Sequence, residues 1–491
     1  MATDILKRIS DDICTNHLGF SPATNATKPP HIANGLFRNC IGEVCDTHDV
    51  HEWIVSDGRK DALPSEEIIS KYQDVLQNGY REKSSNIKEL RFLLDEIFDQ
   101  DNALYSNYDF SVMTISSHWM VKKRVSSESH IGDFLFEILA KKLDGKRSPV
   151  IEMLQNALED DRDDITKLVK PIIAFPSESE KRSVFGVEYP EDSEISWDIV
   201  KEKIRKGFDL LAANIKIMGE DKNSLTVLKR IVNFSVFATF LYLTHCNYAV
   251  YGGEKPPIVL DSGSDLDSIK KSSEQTYTLA KKAVEDYYSN AIREWLKPVV
   301  ASDTIAACNE WIDSMIFAST DRESVVKPAL KSHFESFLSE GGSPLYALSR
   351  ALQFVLYTFE YKNNSPSDFC RVLGVRSGLI GPKGNRAKKR YLTTSFTLET
   401  ITLSVLSPEE LCEGIEMKDV GEKLFDAYSI IIGSDAEREY RVLEEHNVAQ
   451  ATPGDLRGDL SVNAQRLANT YISLGLGKKY ADGVTLIGWR L

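Results

Sequence analysis

Apolar residues recur at helical spacing through the middle of this chain. Between positions 197 and 218, Ile199, Ile204, Phe208 and Leu211 fall three to five residues apart, which places them on one face of a helix. The same period is present in segments 130–143, 148–160, 273–296, 302–317 and 343–361. The pattern therefore predicts a mainly α protein with a multi-helical body over residues 129–365.

Serine–proline pairs mark the starts of three of the predicted helices. Ser148, Ser343 and Ser407 each precede a proline, and serine suits the N-cap while proline suits the first helical position. These pairs predict helices that begin at positions 149, 344 and 408.

The most apolar stretch, residues 231–251, is interrupted by polar side chains such as Asn233, Thr244 and His245. Its uninterrupted apolar part is too short to cross a bilayer, so a buried core helix is the better interpretation. The first residues show no apolar signal region, and the seven scattered cysteines form no disulfide pattern. We therefore expect no membrane contact and a cytoplasmic location.

The C-terminal residues 366–491 predict helices followed by a hairpin. Met417–Tyr428 has helical spacing, Ser461 is positioned to cap a helix through Leu474, and Asp482-Gly483 predicts a two-residue type I′ turn. Helices followed by a terminal β-hairpin is the element order of a winged helix. The predicted fold is thus a helical body with a C-terminal winged-helix-like α+β domain. The proposed domains are a mixed N-terminal region at 1–128, a helical domain at 129–365 and the terminal domain at 366–491.

The distribution of charge along the chain is uneven, with one basic segment in an acidic protein. The chain carries a formal net charge of −14, yet residues 369–398 contain no acidic residue. The cations of this basic segment, residues 371–390, are Arg371, Arg376, Lys383, Arg386, Lys388, Lys389 and Arg390. A basic segment in an acidic protein indicates contact with an anion, and a nucleic-acid phosphate backbone fits best.

The predicted winged helix adds further candidates for DNA contact. Asn463 and Arg466 lie on the helix that would enter the major groove, and Lys478 and Lys479 lie on the hairpin that would touch the flanking backbone. The alternative interpretation is protein docking, because winged helices and lysine-rich loops also serve as partner surfaces.

A cysteine and histidine cluster lies near the N-terminus. Cys40, Cys45, His48 and His51 have the residue types that zinc prefers, although their spacing is tighter than in a standard zinc finger. Cys14 and His17 offer an alternative pairing with the two later cysteines. The sequence therefore permits a structural zinc site, and a chance cluster of core cysteines and surface histidines is the competing interpretation.

Two carboxylates, Asp265 and Asp267, follow Gly252-Gly253 by about a dozen residues. This order resembles the nucleotidyltransferase signature, which implies carboxylates that hold a divalent metal for nucleotidyl transfer. Prolines at 256 and 257 depart from that signature, and the apolar run ends before the carboxylates. The competing interpretation is a turn whose aspartates favour the start of a helix.

Three stretches, residues 256–277, 370–391 and 469–487, together resemble uncharacterised helical accessory proteins that are encoded beside ATPases or nucleases in bacterial anti-phage defence islands. The resemblance implies a non-catalytic component of a multi-protein system. The sequence contains no complete catalytic motif. We therefore expect an accessory protein that contacts DNA or a partner through its C-terminal domain. The alternatives are a scaffold for an ATPase or nuclease without DNA contact, and a metal-dependent nucleotidyltransferase.

Overall fold

The computed structural model of this chain describes residues 4–22, 27–42, 70, 128–159, 187–263, 265–362, 364–384, 388–481 and 483–490. Sixteen helices and five short strands lie within these ranges. The mainly α prediction is confirmed, while the winged-helix domain remains a prediction.

Four helices come first in the chain. They are α1 (Ile5–Asp12), which continues into a π-helical turn (Ile13–Leu18), α2 (Pro29–Ile41), α3 (Ile131–Ala140) and α4 (Pro149–Glu159). Helices α2 and α3 cross backbone against backbone at Gly35 and Gly132. A Cβ on Gly132 would lie 2.3 Å from the carbonyl carbon of Gly35, so only glycine permits this approach.

The centre of the fold is a long buried helix. It is α6 (Ser224–Tyr251), preceded by α5 (Ile199–Met218) and a 3-10 turn (Glu220–Lys222). Its neighbours include α2, α4 and α5. It is also the one helix, within the described residues, that is long and apolar enough to cross a membrane, but 83% of its apolar window is buried in the protein. The prediction of a core helix is confirmed.

Five further helices complete the helical body. They are α7 (Asp267–Leu296), α8 (Ile305–Ser314), α9 (Thr320–Ser339), α10 (Pro344–Phe359) and α11 (Pro366–Ser377). Ser343 caps α10 as predicted, since its side chain accepts a hydrogen bond from the Tyr346 N–H. Helix α11 begins in the same way at Ser365, a start that the sequence patterns above did not identify.

The C-terminal region combines five helices with a three-stranded sheet. Its elements are α12 (Ser395–Leu403), α13 (Pro408–Glu413), β2 (Ile415–Glu416), α14 (Met417–Tyr428), β3 (Ile430–Ile431), α15 (Ala436–Glu445), α16 (Pro453–Ser473), β4 (Gly477–Lys479) and β5 (Thr485–Ile487). The sheet is antiparallel with the order β2-β5-β4. The predicted starts at Pro408 and Met417 are confirmed.

Two local predictions in this region are wrong. Helix α16 starts at Pro453 after a Thr452 cap, and Ser461 lies inside it. The hairpin connection is longer than a two-residue type I′ turn, because Lys479 pairs with Thr485 and the Tyr480 N–H donates to the Val484 carbonyl at 2.8 Å. The Asp-Gly pair therefore indicates a hairpin at the right place but of the wrong loop length.

A parallel strand pair ties the helical body to the C-terminal region. Strand β1 (Ile258–Val259) pairs with β3, and Ile258 stands opposite Ile430. One cluster of buried apolar residues extends from Leu6 to Ile487, and a smaller one surrounds the strand pair. The proposed division at 365/366 remains a prediction, and the two sides of it share a core.

Candidate nucleic-acid interface

The basic segment consists of a helix end and a returning loop. Arg371 and Arg376 lie on α11, which ends at Gly378 in the left-handed conformation at φ +77°. The chain then folds back so that Gly381 and Arg390 exchange two backbone hydrogen bonds of 3.0 Å. The two ends of this loop are thus held side by side.

Arg390 is an anchor for this loop. Its Nε–H donates to Oδ2 of Asp261 at 2.6 Å, and the Asp261 side chain is 0% exposed. The other carboxylate oxygen of Asp261 accepts the Gly263 N–H at 2.9 Å. A charge committed to an enclosed carboxylate is not available to phosphate, so the assignment of Arg390 to nucleic-acid contact is corrected.

Lys389 is largely committed to the loop as well. Its ammonium donates to the carbonyl of Pro382 and, at 2.6 Å, to the carbonyl of Gly384. The neighbouring Lys388 points outward: its side chain is 85% exposed, and its Nζ lies 4.0 Å from Glu274. In this short stretch Lys388 therefore faces solvent, while Lys389 and Arg390 hold the loop.

Arg371 lies close enough to Arg376 and to Lys389 to repel both of them. Burial, and then the charge of Arg371, lower the pKa of Arg376, and the same two causes in the same order lower the pKa of Lys389. The Nη1 of Arg376 is buried and has no hydrogen-bond partner among the described residues. Within the same part of the chain, neither arginine has a carboxylate within 4 Å. The result is a local excess of positive charge.

Lys383 lies exposed on the loop, and Arg386 falls outside the described residues. We define the basic face as Arg371, Arg376, Lys383 and Lys388. These are the described cations of the segment other than Lys389 and Arg390, which are excluded because they make contacts inside the protein.

Asn463 does not fit its predicted role. It is fully buried, and its Nδ2 donates to the carbonyls of Leu260 at 2.8 Å and Ile432 at 3.1 Å. Its Oδ1 accepts the Ser262 N–H at 2.9 Å. All of its polar atoms join the ends of β1 and β3 to α16, so its assignment to a DNA groove is corrected.

The other candidates of the terminal region are on the surface. Arg466 is exposed, with Nη1 and Nη2 each 3.2 Å from Oδ1 of Asp265. Lys478 and Lys479 are exposed on β4, and the Lys478 ammonium lies 5.3 Å from the centre of the Tyr480 ring. These three cations remain available to an external anion, Arg466 in competition with Asp265.

The segment that follows β1 binds both the basic segment and α16. Asp261 binds Arg390 of the basic segment, Ser262 binds Asn463 of α16, and Asp265 binds Arg466. The loop and the exposed side of α16 are therefore fixed to positions four residues apart or fewer. Sequence reasoning missed Asp261, although a carboxylate directly after the apolar run 256–260 signals a buried acid that needs a cation.

The surroundings of Asp265 and Asp267 differ from those that the nucleotidyltransferase signature requires. Asp265 is 90% exposed, and backbone hydrogen bonding together with Arg466 lowers its pKa. Asp267 is the first residue of α7, and β1 ends at Val259, before either carboxylate. No group of three or more potential metal ligands occurs among the described residues. The structure thus matches the helix-start interpretation of this segment.

Cys40 lies in the apolar core on α2, where burial raises the pKa of its thiol. Zinc binds the thiolate, so this environment disfavours Cys40 as a ligand. The other members of the predicted set, Cys45, His48 and His51, lie outside the described residues. Of the alternative pair, Cys14 is also buried with a raised thiol pKa.

Comparison of the chain with protein-family models, with curated proteins and with solved structures gave no match. The resemblance to accessory proteins of defence islands therefore remains a prediction.

Proposed function

We propose that this chain is a non-catalytic cytosolic binding protein whose basic face contacts the phosphate backbone of a nucleic acid. The observation that carries the proposal is the pair Arg371 and Arg376 on α11, which repel each other and have no carboxylate within 4 Å among the described residues; Arg371 also repels the neighbouring Lys389. An anion bound there relieves this repulsion, which makes binding favourable at this place on an otherwise acidic chain.

The anchoring of the loop supports the same proposal. Phosphate contacts need cations held on a firm backbone, and the hydrogen bonds of Gly381 with Arg390 supply one. Arg390 and Lys389 hold the loop, while Lys383 and Lys388 are exposed, so a ligand can reach their ammonium groups, that of Lys388 in competition with Glu274. We expect few contacts and hence moderate affinity that depends on salt.

The finer proposal of a winged helix is supported by element order. Helix α13, β2, α14, α16, β4 and β5 follow one another in the order of that fold, with β3 and α15 inserted, and the central position of β5 in the sheet also agrees. Under this proposal the exposed side of α16 faces the major groove. That side carries Gln465, Arg466 and Asn469, residue types that read base edges, in place of the buried Asn463.

The test is a binding titration with full-length protein and labelled duplex DNA, single-stranded DNA and RNA. The key variant replaces Arg371, Lys383 and Lys388 with glutamine. Its charge-matched control replaces Lys7, Lys216 and Lys222, which are exposed elsewhere. We expect the first variant to lose about tenfold or more in affinity at low salt and to lower the slope of log affinity against log salt by about 3.

The control variant should bind as the unmodified protein does. If the unmodified protein binds none of the three nucleic acids at low salt, or if both triple variants bind alike, nucleic-acid contact through the basic face is wrong.

A second proposal gives the same face an acidic protein partner, such as an ATPase or nuclease of a defence system, and makes this chain an adaptor. The recessed position of Arg376 favours it, because a carboxylate side chain reaches a half-buried guanidinium more easily than a duplex backbone does. Its test is co-purification of such a partner from the native host. Loss of that partner in the basic-face variant, with no nucleic-acid binding by the unmodified protein, would favour the adaptor.

A further inference from the structure

A cleft between α5 and α14 is lined by lysines that no function above uses. Its volume is about 270 Å³, and the turn after α12 closes one side. Helix α5 contributes residues spaced three and four apart, and so does α14. The lining comprises Lys203, Lys206, Gly207, Leu210, Ser404, Val405, Lys423, Asp426, Ala427 and Tyr428.

The lysines of this cleft have few partners. Lys203 donates to the backbone carbonyl of Asp426, and no partner of Lys206 occurs within the described residues. Lys255 contacts Lys203 and lines an adjoining cavity of about 280 Å³. Burial and the charge of Lys203 lower the pKa of Lys255 to about 8. Two ammonium groups are thus held together at an electrostatic cost.

The nearby carboxylates do not offset these charges by direct pairing. Asp426 lines the cleft and favours the charged form of Lys255, but its Oδ1 accepts a hydrogen bond from Nη2 of Arg438 at 3.1 Å. Glu410 binds Lys423 at 2.8 Å. Lys203 and Lys206 in the cleft, and Lys255 in the adjoining cavity, therefore have no salt bridge within the described part of the chain.

The wall of the cleft is closely fitted. Gly207 lies against Tyr428 so tightly that a Cβ would come within 2.2 Å of the tyrosine oxygen. The Tyr428 hydroxyl is in turn 2.9 Å from Oγ of Ser404, and both residues are buried. This packing fixes the distance between α5 and α14, so the lysines face a preformed cavity rather than a mobile surface.

We infer that this cleft binds a small phosphate-bearing molecule, with the phosphate dianion held by Lys203 and Lys206. A doubly charged anion offsets the repulsion between Lys203 and Lys255 and satisfies donors that the fold leaves free. The volume lies just below the usual range for drug-sized ligands, about 300–1,000 Å³, so we expect a small ligand such as a mononucleotide. Leu210 and Val405 offer apolar contact to its organic part. This site is separate from the basic face and does not depend on the function proposed there.

The test is isothermal titration calorimetry of the full chain at low ionic strength with inorganic phosphate, adenosine monophosphate and acetate as probes. We expect both phosphate probes to bind and acetate to bind at least tenfold more weakly. Lys206→Gln should weaken phosphate binding about tenfold, since it removes one charged hydrogen bond. Lys216→Gln, on the same helix but exposed elsewhere, should leave binding unchanged.

The basic-face triple variant should bind phosphate as the unmodified protein does, which separates this site from nucleic-acid contact. The inference is overturned if neither phosphate probe binds at millimolar concentration, if acetate binds equally well, or if Lys206→Gln and Lys216→Gln have equal affinities. Because Lys206 is exposed, its replacement tests the site without threatening the fold.

Discussion

Arg390 donates its Nε–H to Oδ2 of Asp261 at 2.6 Å, and the carboxylate it reaches is completely enclosed. Removing Arg390 leaves the buried carboxylate of Asp261 without its cation, so Arg390→Ala should lower the free energy of unfolding by about 3–5 kcal/mol. Chemical denaturation measures this change. Lys388→Ala, two residues away and exposed, should stay within about 0.5 kcal/mol of the unmodified protein.

Equal stability of these two variants would mean that Arg390 is not an anchor. The pair also affects the design of binding experiments. A variant that reverses the charge of Arg390 disturbs the fold, and a loss of nucleic-acid binding in it could not be assigned to a lost phosphate contact.

Asn463→Ala should destabilise the protein although Asn463 is a polar residue on a helix. The replacement leaves the carbonyls of Leu260 and Ile432 and the N–H of Ser262 buried without their partner. We expect a loss of about 3 kcal/mol in unfolding free energy, measured by denaturant titration. Asn469→Ala, exposed on the same helix, serves as the control and should change stability by less than about 0.5 kcal/mol.

Glu439 should make stability depend on pH. The residue is 4% exposed, and burial raises its pKa from 4.5 to about 7 against the opposing effect of backbone hydrogen bonding at Ile432 and Gly433. The folded protein therefore keeps a proton that the unfolded chain has released. The stabilisation from this proton is complete below pH 4.5 and is lost as pH rises to 7.

Glu439→Gln mimics the protonated form and removes this dependence. Its unfolding free energy should exceed that of the unmodified protein by an amount that grows between pH 4.5 and 7, up to about 3 kcal/mol. Thermal melting at several pH values measures this difference. Glu445→Gln, exposed at the end of the same helix, should show no such trend. A constant difference across this pH range for Glu439→Gln would contradict the raised pKa.

Two glycines in helices should respond to alanine in opposite directions. A Cβ on Gly207 would come within 2.2 Å of the Tyr428 oxygen and 2.6 Å of Phe234, so Gly207→Ala should destabilise by about 1–3 kcal/mol. A Cβ on Gly458 in α16 would meet no atom of the described residues within 4 Å, and alanine there should stabilise by about 0.5–1 kcal/mol. Thermal melting of both variants tests the fit between α5 and Tyr428; a stabilised Gly207→Ala would show that the wall of the lysine cleft is loose.

Local signals allow much of the helical fold to be predicted. The caps at Ser343 and Ser407 and the helix Met417–Tyr428 are correct, because capping and apolar spacing act over a few neighbouring residues. The predicted start of α16 at Ser461 is wrong, although Thr452 and Pro453 carry the same local signal as the correct starts. This error is one of interpretation and not of missing information.

The candidate site is less predictable, because its decisive contacts join distant parts of the chain. The charge of the basic segment is visible in the sequence, but the partner of Arg390 lies 129 positions away. The burial of Asn463, by contrast, has a local signal. Asn463 follows Leu460 by three residues and precedes Leu467 by four, and both leucines are in the core.

The parallel pairing of β1 with β3 also has a consequence for synthesis on the ribosome. Ile258 can pair only after Ile430 has been synthesised. At about 5–20 residues per second, the roughly 170 residues between them take on the order of 10–30 s to emerge from the ribosome. During that time the edge of β1 and the sides of α6 that later meet α11 and α12 lack their cover. The newly made chain therefore exposes apolar surface for a time, and this surface can aggregate or bind a chaperone. It becomes buried only when the last third of the protein has been synthesised.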